Sequence, residues 1–246
     1  DETQKLIILY GIASGMAYSS SHGILHSDLK PENILMTEEL YPKITDFDSA
    51  KLEVDDFNQS FNLSGREMGS PLYTAPEILK KEKDRSEYTE KLDVYSYSMI
   101  LYHVVTGTVP FKDLSIPEIY DMVKKGKRPK IPSYVNPLIS ELITKCWDKM
   151  QDQRPTFKEI ADFLRSDEFL SSVDIDQDRF QVYVEYINDY KNIYTKSKFI
   201  RPMTQAGNYK IDDDDEVMKN PGNIPILNLS EYDQGNLLGR GRYSQV

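Results

Sequence analysis

Within one short stretch, His26-Ser27-Asp28-Leu29-Lys30-Pro31-Glu32-Asn33, the chain sets a carboxylate, an ammonium group and a primary amide a few residues apart. Groups of these types suit the handling of phosphate. Asp28 can take or orient the proton of an attacking hydroxyl, and Lys30 can meet a phosphate oxygen as a mobile point charge. The amide oxygen of Asn33 is a hard donor suited to Mg²⁺, and Asp46, in Asp46-Phe47-Asp48, adds a carboxylate for the same kind of cation. Taken singly, each has a plain structural role: Asp28 can cap a turn, Asn33 can satisfy loop backbone, and Asp46 can be an ordinary residue after a strand. Only their order and spacing together point to chemistry.

Such groups need elements to hold them. From Lys5 to Tyr18, Leu6, Leu9, Ala13, Met16 and Ala17 recur at helical spacing, and Ser-Ser-Ser-His-Gly ends that helix just before the loop bearing Asp28. Ile34-Leu35-Met36 and Lys43-Ile44-Thr45 read as two short strands around Thr37 to Pro42, a small hairpin whose ends bracket the polar loop. Ser49 to Pro71 is polar, as a surface segment should be. Lys91 to Thr106 is apolar on most faces and reads as a central helix stopped by Gly107. Ser115-Ile-Pro-Glu118 and Thr156-Phe-Lys-Glu159 have capping-box spacing, so helices are expected from about Pro117 and Thr156. Beyond Asp167 the pattern loosens, although Phe180, Val182, Tyr183, Tyr186 and Ile187 fit one amphipathic helix. Ser197 to Asn223, with the acidic run Asp212 to Glu216, reads as a solvated linker; a docking site for basic partners is the less favoured reading.

Composition excludes several function classes. With 246 residues the chain can bury a sizeable core, and 39% hydrophobic with 28% charged residues suit a globular protein. A formal charge of -10 argues against a general nucleic-acid binder and favours protein partners. Cys146 stands alone, so neither an internal disulfide nor a paired Cys/His zinc site is expected. The longest apolar run, Leu6 to Tyr10, is too short to cross a bilayer, so a cytoplasmic protein without membrane contact is expected.

The loop Asp-Leu-Lys-Pro-Glu-Asn, a hairpin, Asp46-Phe47, and later Ala75-Pro76-Glu77 match the protein-kinase signature in order, spacing and context. From about Gln4 to Asp167 the chain therefore resembles the C-terminal lobe of a eukaryotic-type protein kinase. The fold this implies is α+β, mainly α-helical, with a small β-hairpin at the active site and the N-terminal lobe absent. The resemblance implies ATP and Mg²⁺ as cofactors, Asp28 as catalytic base, Lys30 on the transferred phosphate, and Asn33 and Asp46 as metal ligands. It also implies that Asp93 hydrogen-bonds the catalytic loop, and that Glu77 and Arg154 form a buried pair tying the activation segment to the lobe. Lys30 and the run Gly69-Ser70-Pro71-Leu72-Tyr73-Thr74 resemble the serine/threonine enzymes, with Ser70 bridging Asp28 and Lys30. Cys146-Trp147 and Arg154-Pro155-Thr156-Phe157 are similar to the tyrosine-kinase-like branch.

Two positions depart from the pattern. Ser27 replaces the usual Arg that meets an activation-loop phosphate, so phosphorylating Ser60, Ser64 or Ser70 is expected not to order the loop through that contact, and activity independent of loop phosphorylation is expected. Asp48 replaces a Gly, so a left-handed backbone costing about 1 kcal/mol is expected there. A catalytically silent pseudokinase acting as a scaffold is the rival reading.

Near the end, Leu238-Gly239-Arg240-Gly241-Arg242-Tyr243-Ser244 resembles a kinase Gly-rich loop, with Gly239, Gly241 and Ser244 as candidate nucleotide contacts. A plain hairpin turn is the alternative reading of those two glycines. The expected organisation is a kinase C-terminal lobe over 1–168, a helix and acidic linker over 169–230, and a truncated second kinase domain over 231–246. Because no Gly-rich loop or strand lysine precedes Gln4, this chain reads as a fragment inactive by itself, acting in its full-length parent on protein substrates.

Overall fold

The computed structural model describes residues 1–52, 71–79 and 89–196. Ser27 and the loop that bears Asp28 lie within them. The expectations for Ser60, Ser64, Ser70, the acidic run, Gly239, Gly241 and Ser244 lie outside.

Helix α1 (Glu2–Ser21) starts where the Asp1 carboxylate accepts the Gln4 N–H at 2.6 Å, which satisfies one of the unpaired donors of its first turn. Leu6, Ile7, Leu9, Ile12, Ala13 and Met16 are all buried, so α1 runs through the core rather than over it. At its end Gly23 has φ 67°, and the chain turns into β1 (Ile24–Leu25). Strand β2 (Ile34–Met36) pairs antiparallel with β3 (Pro42–Ile44) in the register Ile34 to Ile44. This is the expected hairpin moved by one residue, because Thr45 leaves the strand to bond the loop. Strand β4 (Lys51–Leu52) returns to pair antiparallel with β1.

Helix α2 (Glu90–Thr106) is capped by the Thr89 side chain and ended by Gly107 at φ 66°. Its Tyr97 hydroxyl donates to Leu9 O at 3.1 Å, joining it to α1 inside the core. Helices α3 (Ile116–Lys124) and α5 (Phe157–Leu164) begin at the two capping boxes. In α5 the Glu159 N–H donates to the Thr156 hydroxyl at 3.1 Å while the Glu159 carboxylate accepts the Thr156 N–H at 2.7 Å. Between them α4 (Pro137–Cys146), which the sequence pattern did not single out, packs on α2. Its cap is Asn136, which accepts from the N–H groups of Leu138 and Ile139. The short α6 (Asp167–Leu170) and the long α7 (Gln177–Lys196) complete a mostly helical body with one continuous apolar core. No described helix is long and apolar enough to cross a membrane.

Two glycines explain how the hairpin and α7 can both lie against α1. A Cβ on Gly11 would stand 2.1 Å from the Tyr183 hydroxyl and 2.5 Å from Pro42 Cγ; one on Gly15 would stand 3.0 Å from Ile44 Cδ1. Gly inside a helix is unfavourable in itself, and here close packing accounts for it. Gly11→Ala is therefore expected to destabilise the fold by about 1–3 kcal/mol despite its better helix propensity. A urea midpoint unchanged or raised in that variant would overturn the packing argument.

Candidate active site

Helix α2 anchors the loop that bears Asp28. The carboxylate of Asp93 is buried and accepts the N–H of His26 at 2.7 Å and of Ser27 at 2.9 Å. Burial pushes this carboxyl up, to about 6, against the opposing pull of His26 and of the two N–H bonds. Ser27 takes φ 67°, a left-handed bend in the loop where it meets that carboxylate.

His26 links this anchor to the other half of the site. Its Nε2 bonds Thr45 O at 2.9 Å; because a carbonyl can only accept, Nε2 carries the proton. Its Nδ1 accepts the Asp28 N–H at 3.3 Å, and its ring lies 4.7 Å from that of Phe47. One buried imidazole thus touches the segment bearing Asp28 and the segment bearing Asp46.

Asp28, Lys30 and Asn33 come together. Lys30 Nζ donates to Asp28 Oδ2 at 2.5 Å, and Asn33 Nδ2 donates to Asp28 O at 2.8 Å and to Oδ2 at 3.3 Å. Both charged side chains keep about a fifth of their surface open, 22% for Lys30 and 23% for Asp28, so the pair faces solvent and can meet a ligand. Asn33 ends a 3₁₀ turn begun by Pro31, is 5% exposed, and spends its amide N–H groups on Asp28. An amide oxygen is a hard donor of the kind that Mg²⁺ takes.

Asp46 follows directly on Thr45, whose N–H and hydroxyl both donate to Asn33 O, at 2.9 and 3.2 Å. The two candidate metal ligands are therefore held by one backbone junction. Asp46 is exposed and takes φ 64°, ψ 54°. Here the structure corrects the expectation for Asp48: it lies in the 3₁₀ turn Phe47–Ser49, is absent from the left-handed residues, and bears no such strain. The left-handed residue is Asp46 itself. Among the described residues no three acids, histidines or cysteines gather into a metal cluster. Mg²⁺ takes one or two protein oxygens and fills its shell with phosphate and water. Asn33 and Asp46 fit this donor set.

Glu77 and Arg154 form the expected ion pair, bidentate at 2.6 and 2.9 Å, with side-chain exposures of only 6% and 0%. Arg154 also donates to Asp148 O and Lys91 O, and its guanidinium stands 5.2 Å from the Tyr95 ring. Nearby, Ser96 Oγ donates to Tyr73 O at 2.8 Å, tying the turn Pro71–Tyr73 to α2. Burial beside Glu32 raises the Tyr73 phenol. The bonds made by Thr45, Ser96 and Tyr95 escaped the reading of the sequence; Tyr95 and Ser96 lie in an apolar helix and Thr45 just past β3, where nothing in their types signals a partner. Cys146 is buried and its thiol pushed up by burial, which removes it as a nucleophile. An open groove of about 690 Å³ lies between α4 and α5, lined by Leu138, Leu142, Lys145, Ile160 and Phe163. It contains none of the catalytic-loop residues, and convergence of functional groups outranks size in choosing the site.

The profile of the family described as protein tyrosine and serine/threonine kinase matches residues 1–164. An RGS domain-containing serine/threonine-protein kinase A of Dictyostelium discoideum is 37% identical over 66% of this chain and 14% of its own length. The serine/threonine/tyrosine-protein kinase HT1 of Arabidopsis thaliana is 33% identical over 61% of this chain and 36% of its own. The chain thus spans about a third or less of these relatives.

Proposed function

Since the chain belongs to the protein tyrosine and serine/threonine kinase family, we propose that the full-length protein transfers the γ-phosphoryl group of ATP to serine and threonine hydroxyls of protein substrates in the cytoplasm. The observation that carries this reading is the joint placement of Asp28, Lys30 and Asn33 by Asp93, with Asp46 fastened to Asn33 through Thr45.

In this reaction the substrate oxygen bonds to the γ-phosphorus while the bond from that phosphorus to the bridging oxygen of ADP breaks. Asp28 takes the hydroxyl proton. Lys30, now on Asp28 Oδ2, would meet the transferred phosphate and offset the charge on its oxygens. Asn33 and Asp46 would hold Mg²⁺. When bound, that ion neutralises phosphate charge and fixes the nucleotide. Buried His26 keeps the two halves in register and has no exposed atom to react.

In this reading transfer also needs a Gly-rich loop and a strand lysine, the parts that cover and pair the ATP phosphates in the family. Gly239, Gly241 and Ser244 would open a second kinase domain after the acidic linker. Ser70 would add a hydroxyl between Asp28 and Lys30. Serine/threonine selectivity rests on Lys30 and on the names of the relatives, one of which also includes tyrosine.

The test is phosphate transfer from Mg·ATP by the full-length protein to peptides offering serine, threonine or tyrosine. Transfer to serine and threonine is expected, at a rate unchanged when Ser60 and Ser64 are both alanine. Transfer to tyrosine alone would overturn the substrate class, and a lost rate in the alanine variant would overturn loop independence. Nucleotide binding without any transfer would establish the pseudokinase scaffold instead.

A further inference from the structure

Helix α7 lies beyond residue 164, where the family match ends, yet it packs against the back of the catalytic hairpin. Phe180, Tyr183 and Val184 are buried in the common core. Tyr41, the last residue of the hairpin turn, places its ring 4.5 Å from that of Tyr183 and 5.2 Å from that of Tyr186. Only Pro42, Lys43, Ile44 and Thr45 separate Tyr41 from Asp46.

The same turn is held from α1. Gln4 Nε2 donates to Leu40 O at 2.6 Å, and Leu40 takes φ 63°, a left-handed angle that a leucine keeps only when its surroundings impose it. Helix α7 is itself tied to the start of α1: Asp176 N–H donates to Thr3 Oγ1 at 2.9 Å, and Arg179 pairs with Asp1 at 2.9 Å. The turn is therefore gripped between two helices, while the far ends of its strands carry Asn33 and Thr45.

Resting on the phosphoryl-transfer reading above, we propose that Tyr41, seated on Tyr183 and Tyr186 of α7, is a positioning residue that sets Asn33 and Asp46 for Mg²⁺. Strand β3 transmits the position. It is paired to β2 from Met36–Pro42 to Ile34–Ile44, and the next residue, Thr45, bonds Asn33 O. A strand fixed at both ends admits little sliding. Released at Tyr41, it can shift both ligands together, and small misplacements of a reacting group are expensive in rate.

The experiment uses the full-length protein and compares Tyr41→Ala, Tyr186→Ala and Tyr41→Phe with wild type. The first readout is amide hydrogen exchange at Thr45, whose N–H bonds Asn33 O. The second is kcat and the Mg²⁺ concentration giving half-maximal rate, with KM for the peptide substrate. Both alanine variants are expected to speed Thr45 exchange, to lower kcat about ten-fold and to raise the Mg²⁺ requirement, with peptide KM unchanged. Tyr41→Phe keeps the ring and is expected to match wild type in all of these. Unchanged Thr45 exchange in Tyr41→Ala overturns the proposal, as does faster exchange in an active protein whose kcat and Mg²⁺ requirement stay put. If wild type transfers no phosphate, the phosphoryl-transfer reading falls. The exchange result then decides by itself whether α7 holds the hairpin.

Discussion

Asp28→Asn in the full-length protein is expected to lower phosphoryl transfer by about 10²–10⁴-fold, the range a positioned proton acceptor contributes. The substitution is nearly isosteric, and its effect follows from charge. Asp28 Oδ2 now receives Lys30 Nζ and Asn33 Nδ2. An amide oxygen in its place can still accept a hydrogen bond, but it neither takes a proton from a hydroxyl nor holds Lys30 as an ion partner. The backbone contacts around it, from Asp28 N–H to His26 and from Asn33 Nδ2 to Asp28 O, are untouched. Single-turnover transfer should therefore fall while Mg·ATP still binds and the thermal midpoint stays close to wild type. A variant retaining more than a tenth of the rate would remove Asp28 from its role as base.

The second large effect concerns stability. Arg154→Leu is expected to cost about 3–5 kcal/mol, because it leaves Glu77 buried and charged with its bidentate partner gone. The carbonyls of Asp148 and Lys91 lose their donor in the same step. Removing both charges, in Glu77→Leu with Arg154→Leu, should recover part of that loss, since a buried pair often does little better than apolar residues of similar volume. Urea unfolding of the two variants measures the difference. A double variant as unstable as the single one would show that the carbonyl bonds of Arg154, rather than Glu77, carry its contribution.

The candidate site residues Asp28, Lys30, Asn33 and Asp46 could be picked out in the sequence because they stand close together in a short stretch of chain with a distinctive spacing. Glu77, Asp93 and Arg154 were legible only by resemblance, since they meet across separations that no local pattern records. Local chemistry also announced the ends of α2, α3 and α5, through Gly107 and the two capping boxes. Helix α4 was missed although Asn136-Pro137 is a sound start signal, because its apolar residues are few and spread over only ten positions. The pairing of β1 with β4 was beyond reach: two residues a side display no period. The misplaced strain at Asp48 has a different cause. Backbone angles at Asp46 follow from Thr45 being pulled both by Asn33 and by His26, a tertiary constraint that residue types do not reveal.

The ties between α1 and α7 also bear on how the chain acquires its structure. The bond from Asp176 to Thr3 closes a separation of 173 residues, and at roughly 5–20 residues per second of synthesis the partner follows about 10–35 s behind. During that interval Tyr10 of α1 is without its ring partners Phe180 and Tyr183, and the gap beside Gly11 is not yet filled by Tyr183. Part of the apolar surface of α1 is thus covered only once α7 has been made, long after α1 itself.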